Sequence, residues 1–258
     1  MLLIKIPSSL GSLGKNTGCE KAPDKIIETL KEFYSNEDGK EVSYNIIEVE
    51  VHNNNIEKTN EDIYEKTKNL ENGIILGGDH SITYSCFKAF SRRYKNPGIV
   101  IFDAHPDLEV NTESITHEDY LKALIKEGYL KRENLIIVGL RNNSENENHY
   151  LKENKIKFYD MKKIFNNIEN TCDAIMESSR NFDGLYLSID IDCVDPSFAP
   201  GTYYKEPGGL TSREILYFIQ RLKLLKSLKF VDIVEVNPKL DLNNITVKLA
   251  AKIVNEIL

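Results

Sequence analysis

Short apolar runs alternate with amphipathic stretches along the whole chain. Runs at 2–6, 44–49, 73–76, 98–102, 135–139, 157–159, 184–189 and 230–235 are rich in Ile, Val and Leu. Most place apolar residues at consecutive positions, the pattern of strands buried on both faces. Between them, 22–33, 56–69, 82–91, 120–127, 164–178, 211–226 and 246–257 carry helical patterns. Thr211-Ser212-Arg213-Glu214 has capping-box spacing ahead of an apolar-periodic run. Strand and helix in regular alternation predict an α/β fold: a three-layer, doubly wound, mainly parallel sheet of about eight strands with helices on both faces and right-handed crossovers. No repeat and no long linker interrupts the pattern, so a single domain over 1–258 is expected. The Asn-rich stretches 53–55 and 142–148 read as loops.

Charged residues directly after apolar strands add nothing to a core, but in an open parallel sheet the carboxyl ends of strands are where ligands sit. Three such places stand out. Gly77-Gly78-Asp79-His80 follows Ile74-Ile75-Leu76, Asp103-Ala104-His105-Pro106-Asp107 follows Ile99-Val100-Ile101-Phe102, and Asp190-Ile191-Asp192 follows Leu185-Tyr186-Leu187-Ser188-Ile189. His80, Asp103, His105, Asp107, Asp190 and Asp192 can therefore meet in one crevice. Four carboxylates sharing a small space need cations to neutralise them. Alternate residues in Asp103-x-His105-x-Asp107 and Asp190-x-Asp192 point the same way if the strand conformation continues. An oxygen-rich set with some imidazole suits Mn²⁺, and two cations held together can keep a hydroxide available at neutral pH. Asp79 and Asp195 read instead as cap and turn residues, the latter before Pro196.

Composition narrows the classes. With 258 residues, 41% of them hydrophobic, a sizeable core is available. The net charge of −7 with no basic block argues against nucleic acid and mildly favours a cationic partner. Cys19, Cys86, Cys172 and Cys193 form no C-x-x-C pair and read as reduced thiols. The N-terminal apolar stretch is too short for a signal segment, and no run reaches membrane-spanning length. A cytoplasmic protein without membrane association is expected. His52 falls in an expected loop, and His149 ahead of a helical stretch reads as structural.

These segments resemble the arginase/agmatinase (ureohydrolase) family, whose signatures are G-G-D-H-S, D-A-H-x-D and S-x-D-x-D-x-x-D-P. The chain has Gly77–Ser81, Asp103–Asp107 and Ser188–Pro196 in those patterns. Gly18–Pro23, Val138–Arg141, Ala199–Thr202, Pro207–Thr211 and Asp232–Pro238 extend the similarity over nearly the whole chain. The resemblance implies an arginase-like metallohydrolase with two Mn²⁺ per subunit. His80, Asp103, Asp107 and Asp190 would hold one ion, and His105, Asp103, Asp190 and Asp192 the other. A metal-bridging hydroxide would attack the guanidinium carbon and release urea and an amine. Glu235 matches the carboxylate that pairs with the guanidinium, a geometry suited to planar cations. His117 matches the histidine that passes protons to the leaving amine, and its ordinary pKa suits that work. His117, Asp107 and Glu235 are thus the expected catalytic residues. A homotrimer or homohexamer is implied, with the helix at 246–258 a candidate contact.

The chain departs from the family at the substrate's tail. The family's H-G after D-A-H-x-D is replaced by Thr116-His117-Glu118-Asp119. Glu109 stands where the arginase branch has Asn, and Ser144 where it has a carboxylate, so recognition of an α-amino acid is not supported. P-G-T-G-T-P becomes Pro200-Gly201-Thr202-Tyr203-Tyr204-Lys205. Glu109 can pair with a terminal amine, and agmatine is the leading substrate on that ground. Ala199–Thr202 and 206–211 resemble the agmatinase branch, whereas Glu235–Pro238 resembles arginase. Lys205 can pair with a carboxylate, which would favour a guanidino acid or formimidoylglutamate. Outside this family, an amide deacetylase on a related sheet is disfavoured by Glu235, which a neutral amide does not need. A family member without catalysis, serving as a binding protein, is disfavoured by the complete ligand set.

Overall fold

The computed structural model describes residues 1–110 and 114–258. Eight strands form one sheet: β1 (Leu2–Ile6), β2 (Asn45–Glu48), β3 (Gly73–Gly77), β4 (Pro97–Phe102), β5 (Leu135–Leu140), β6 (Lys157–Asp160), β7 (Gly184–Asp190) and β8 (Leu228–Val234). Their spatial order is β2-β1-β3-β8-β7-β4-β5-β6, and every pairing is parallel. The sheet is thus wholly rather than mainly parallel. The chain passes from β3 to β4 across a gap that β7 and β8 fill later, so the four central strands are β3, β8, β7 and β4.

Alternate strand residues feed two cores, one per face. Leu3, Leu76, Phe102, Val138, Leu187 and Ile233 meet α1 (Ala22–Leu30), α8 (Ser212–Leu222) and α9 (Ile245–Ile257). Ile4, Ile75, Ile101, Ile137, Tyr186 and Val234 meet α2 (Ile56–Thr67), α3 (Ile82–Ser91) and α4 (Tyr120–Lys126). The period of two in side-chain direction explains why the strand sequences are apolar throughout.

Two expectations need correction. The stretch 142–148 is not all loop: α5 (Glu145–Glu153) begins within it, and His149 lies inside that helix, exposed and 3.0 Å from Glu153. The helix expected over 164–178 is two helices, α6 (Met161–Asn166) and α7 (Ile168–Ser179). Asn167 stands between them with φ −164° and accepts a hydrogen bond from the Asn170 N–H, so it caps α7 and breaks the run. In α9, Thr246, Val247, Leu249 to Ala251 and Ile253 to Glu256 are buried within the chain, while Ile245 and Lys248 are exposed and Lys252, Ile257 and the following Leu258 half-buried. The Thr211–Glu214 capping box is present as expected.

Candidate metal centre

The acidic and imidazole side chains gather at the carboxyl ends of the four central strands. His80 follows β3, Asp103 to Asp107 follow β4, Asp190 ends β7 with Asp192 in the next turn, and Glu235 follows β8. Gly78 makes the first of these turns possible. A Cβ there would sit 1.8 Å from the Ser8 carbonyl oxygen, so only glycine lets the chain pass.

All six expected metal ligands are brought together. His80 Nδ1 lies 3.2 Å from Asp103 Oδ2, 3.1 Å from Asp107 Oδ2 and 3.3 Å from Asp190 Oδ2. His105 Nδ1 lies 3.0 Å from Asp192 Oδ2 and 3.6 Å from Asp103 Oδ1. Asp103 therefore faces both groups, one oxygen to each. Asp190 turns Oδ2 to the first group, while its Oδ1 accepts from the Asp192 N–H at 2.8 Å. His80 Nδ1 and Asp103 Oδ2 are buried without a hydrogen-bond partner, although buried polar atoms are normally paired. Imidazole and carboxylate atoms converging in this way fit divalent cations.

The electrostatics point the same way. Burial and the Asp103 charge push Asp107 up to about 8. Burial, then Asp192 and Asp103, raise Asp190 well above the carboxylate range. Asp192 is raised by burial and Asp103. Burial opposes a charge on His105, yet Asp192 and Asp103 push it up to about 12. Burial would raise Asp103 as well, but His105 and His80 hold it low; the other three crowded carboxylates hold on to protons unless positive charge replaces them.

Behind His80 runs a line of buried hydroxyls. His80 Nε2 lies 2.8 Å from Ser188 Oγ and 2.9 Å from Tyr120 Oη. Ser188 donates to Asp232 Oδ1 at 2.6 Å, and Thr83 and Tyr186 each donate to Asp232 Oδ2 at 2.7 Å. This fixes the ring and leaves Nδ1 facing the carboxylates. Asp232 was visible in the sequence as a lone acid inside an apolar strand; Asn16 and Tyr120 carried no signal.

Glu235 and His117 form a second constellation. Glu235 Oε1 accepts from the His80 N–H at 2.7 Å and faces His117 Nδ1 at 3.2 Å, while Oε2 accepts from Asn16 Nδ2 at 2.6 Å. Burial opposes a charged His117, but Glu235 pushes it up to about 9; burial would raise Glu235, but His117 holds it low. His117 Nε2 is buried without a hydrogen-bond partner.

Both constellations open onto a cavity of ≈ 280 Å³, whose wall includes His105, Asp107, Glu109, His117, Asp190, Asp192 and Glu235. Glu118, Asn142, Ser144, Glu147, Thr202 and Tyr204 also line it. No lysine or arginine is among the described residues that line it. Lys205 is exposed and outside the lining. Ser144 caps α5 and donates its hydroxyl to Glu109 Oε1 at 2.7 Å. Asp79 and Asp195 are turn residues as expected: Asp79 accepts from the Gly11 and Ser81 N–H groups, and Asp195 from those of Ser197, Gly208 and Gly209. His52 pairs with Asp62 at 2.6 Å, and the four cysteines are free and buried. Among the described residues no helix is long and apolar enough to cross a membrane.

Fold and site define an α/β protein with a His/Asp cluster suited to divalent metal at the centre of a parallel sheet. The chain belongs to the arginase family, whose sequence profile matches residues 1–258. It is 33% identical over 243 residues to arginase from Staphylococcus aureus (strain MRSA252), covering 87% of this chain and 78% of that one. Formimidoylglutamase from Bacillus subtilis superimposes with a TM-score of 0.93 at 30% identity, covering 99% of this chain and 85% of that one. Arginase from Bacillus subtilis superimposes with a TM-score of 0.90 at 28% identity, covering 100% and 98%. The protein is an arginase-family ureohydrolase.

Proposed function

We propose that this chain, as one arginase-like metallohydrolase domain, hydrolyses an unbranched guanidino amine, agmatine in the first instance, to urea and a diamine. The observation that carries this reading is Glu109 on the cavity wall, bonded to the neutral Ser144 hydroxyl, with no lysine or arginine among the described lining residues. A substrate tail ending in ammonium finds a partner in Glu109, whereas a carboxylate there meets like charge.

His80, Asp103, Asp107 and Asp190 would hold one Mn²⁺, and His105, Asp103, Asp190 and Asp192 the other. When bound, such a pair supplies a water-derived nucleophile at neutral pH. The chain's own residues do the rest. Glu235 has three hydrogen-bond donors about its two oxygens, leaving lone-pair capacity for a guanidinium N–H. By holding His117 Nδ1, it also turns the free Nε2 of that imidazolium to the leaving nitrogen. Water adds to the guanidinium carbon, the bond from that carbon to the substituted nitrogen breaks, and the nitrogen leaves protonated. Glu109, held by Ser144, receives the terminal ammonium.

The test is urea release by Mn²⁺-loaded protein from agmatine, arginine, guanidinobutyrate and guanidinopropionate, with formamide release from formimidoylglutamate in parallel. Agmatine is expected to be turned over best. A preference for formimidoylglutamate or arginine would overturn the assignment of the tail. The reading carries with it a cytoplasmic homotrimer or homohexamer, checked by sedimentation of the loaded protein.

A further inference from the structure

In the segment where Tyr203, Tyr204 and Lys205 replace the family's small residues, only Tyr204 turns into the cavity. Its ring lies over both imidazoles at the mouth: the centroid is 5.1 Å from that of His105, tilted by 59°, and 6.1 Å from that of His117, stacked at 30°. The Nε2 atoms of these two rings are buried without hydrogen-bond partners.

Three loops hold the phenol in place. Tyr204 Oη donates to Glu118 Oε1 at 2.8 Å and accepts from Lys15 Nζ at 2.8 Å, and Lys15 Nζ reaches the same Glu118 oxygen at 2.5 Å. Lys15 follows β1, Glu118 precedes α4 and Tyr204 follows β7. Charge-assisted bonds of this kind are among the stronger ones, and this closed triangle fixes where the ring stands. Tyr203 packs edge-on against it at 4.9 Å. Close by, the Glu109 N–H donates to the Glu118 carbonyl at 3.0 Å, so the ring and the tail acid share one rim.

We infer that Tyr204 is a specificity-determining residue: its ring face is the wall along which the substrate's chain runs from the metal centre to Glu109. This rests on the reading of the substrate as a guanidino amine. An aromatic face carries negative potential, so it attracts a passing cation and repels a carboxylate branching from the chain. Glu118 is neutralised by Lys15, so the discrimination rests on the ring face and on Glu109. Tyr204 thereby sharpens the choice of an unbranched dication over an α-amino acid.

The experiment compares wild type with Tyr204→Phe and Tyr204→Leu, reading kcat/KM for agmatine and for arginine, with melting temperature and bound Mn²⁺ measured on each. The leucine variant, which keeps bulk but loses the ring face, is expected to raise KM for agmatine about tenfold with kcat within about threefold. Its preference for agmatine over arginine should fall about tenfold. The phenylalanine variant should keep the preference within about threefold. A leucine variant of normal stability and metal content with the wild-type preference overturns the inference. So does a phenylalanine variant that loses as much as leucine, since the effect would then lie in the tie between loops. Should leucine lower the melting temperature, Tyr204→Met serves the same comparison. Wild type that hydrolyses neither compound overturns the proposed function instead. Calorimetric titration of butane-1,4-diamine and ornithine then decides the inference: a roughly tenfold loss of diamine affinity in the leucine variant upholds it, and equal affinity overturns it.

Discussion

Asp107 and Glu235 stand at φ of 51° and 62°, in the left-handed region that side chains other than glycine rarely adopt. Such backbone costs on the order of 1–3 kcal/mol, and it persists here where both residues face the cavity. Glu235→Gln keeps the shape but removes the charge that holds His117 as a cation. Turnover is expected to fall about a hundredfold or more, with metal content unchanged by elemental analysis. His117→Ala should slow turnover similarly and also keep its metal; loss of metal would show that His117 had been misplaced. Asp232→Asn places an amide N–H₂ among three hydroxyl donors that now all point at a carboxylate. Mn²⁺ affinity, read by titration, should drop about 10- to 100-fold as His80 loses its orientation. The His117–Glu235 pair also sets a pH dependence in metal-free protein. The histidine is raised from 6.5 to about 9, so its stabilising charge is fully present below pH 6.5 and is lost as pH rises through 9. The gap in melting temperature between chelator-treated wild type and His117→Asn should therefore shrink between pH 6 and pH 10.

At the level of elements, the strands that build the site were legible because each puts polar ligands directly after a fully apolar run, where core burial offers no competing explanation. His80, Asp103 to Asp107 and Asp190 to Asp192 could be placed at strand ends from sequence for that reason. α5 was not legible. Its sequence is almost wholly polar, with only Glu147 and Leu151 buried, so it has little apolar periodicity to read. The signal it did carry was chemical: Ser144-Glu145-Asn146-Glu147 is a capping box, and both of its bonds form. The break between α6 and α7 turned on one side chain, Asn167, whose capping bond outweighs continuing the helix. Tyr120 and Asn16 reach the site only through tertiary packing, which no local pattern encodes. Ser144→Ala is expected to cost about 1 kcal/mol of stability in chemical denaturation through loss of the cap. It should also raise KM for agmatine, because Glu109 loses its fixed partner.

Across the whole molecule, the centre holds four buried carboxylates with two imidazoles to balance them. Removing metal should therefore lower the melting temperature, and adding Mn²⁺ should raise it progressively with concentration, as expected of a ligand that binds only the folded state. A melting temperature indifferent to both chelator and Mn²⁺ would contradict a metal role for the cluster.

The order β3-β8-β7-β4 has a consequence for synthesis. Glu235 accepts the His80 N–H across 155 residues of chain, and His80 meets Asp190 only after β7 has added to β4, with β8 still to fill the gap between β7 and β3. Pairings so distant in sequence close large loops and come late. A nascent chain that has emerged only as far as β6 carries His80, Asp103, His105 and Asp107 but lacks Asp190 and Asp192, so the ligand set is incomplete. The complete ligand set therefore waits for β7, the seventh of the eight strands in chain order, which makes metal binding a report on late folding.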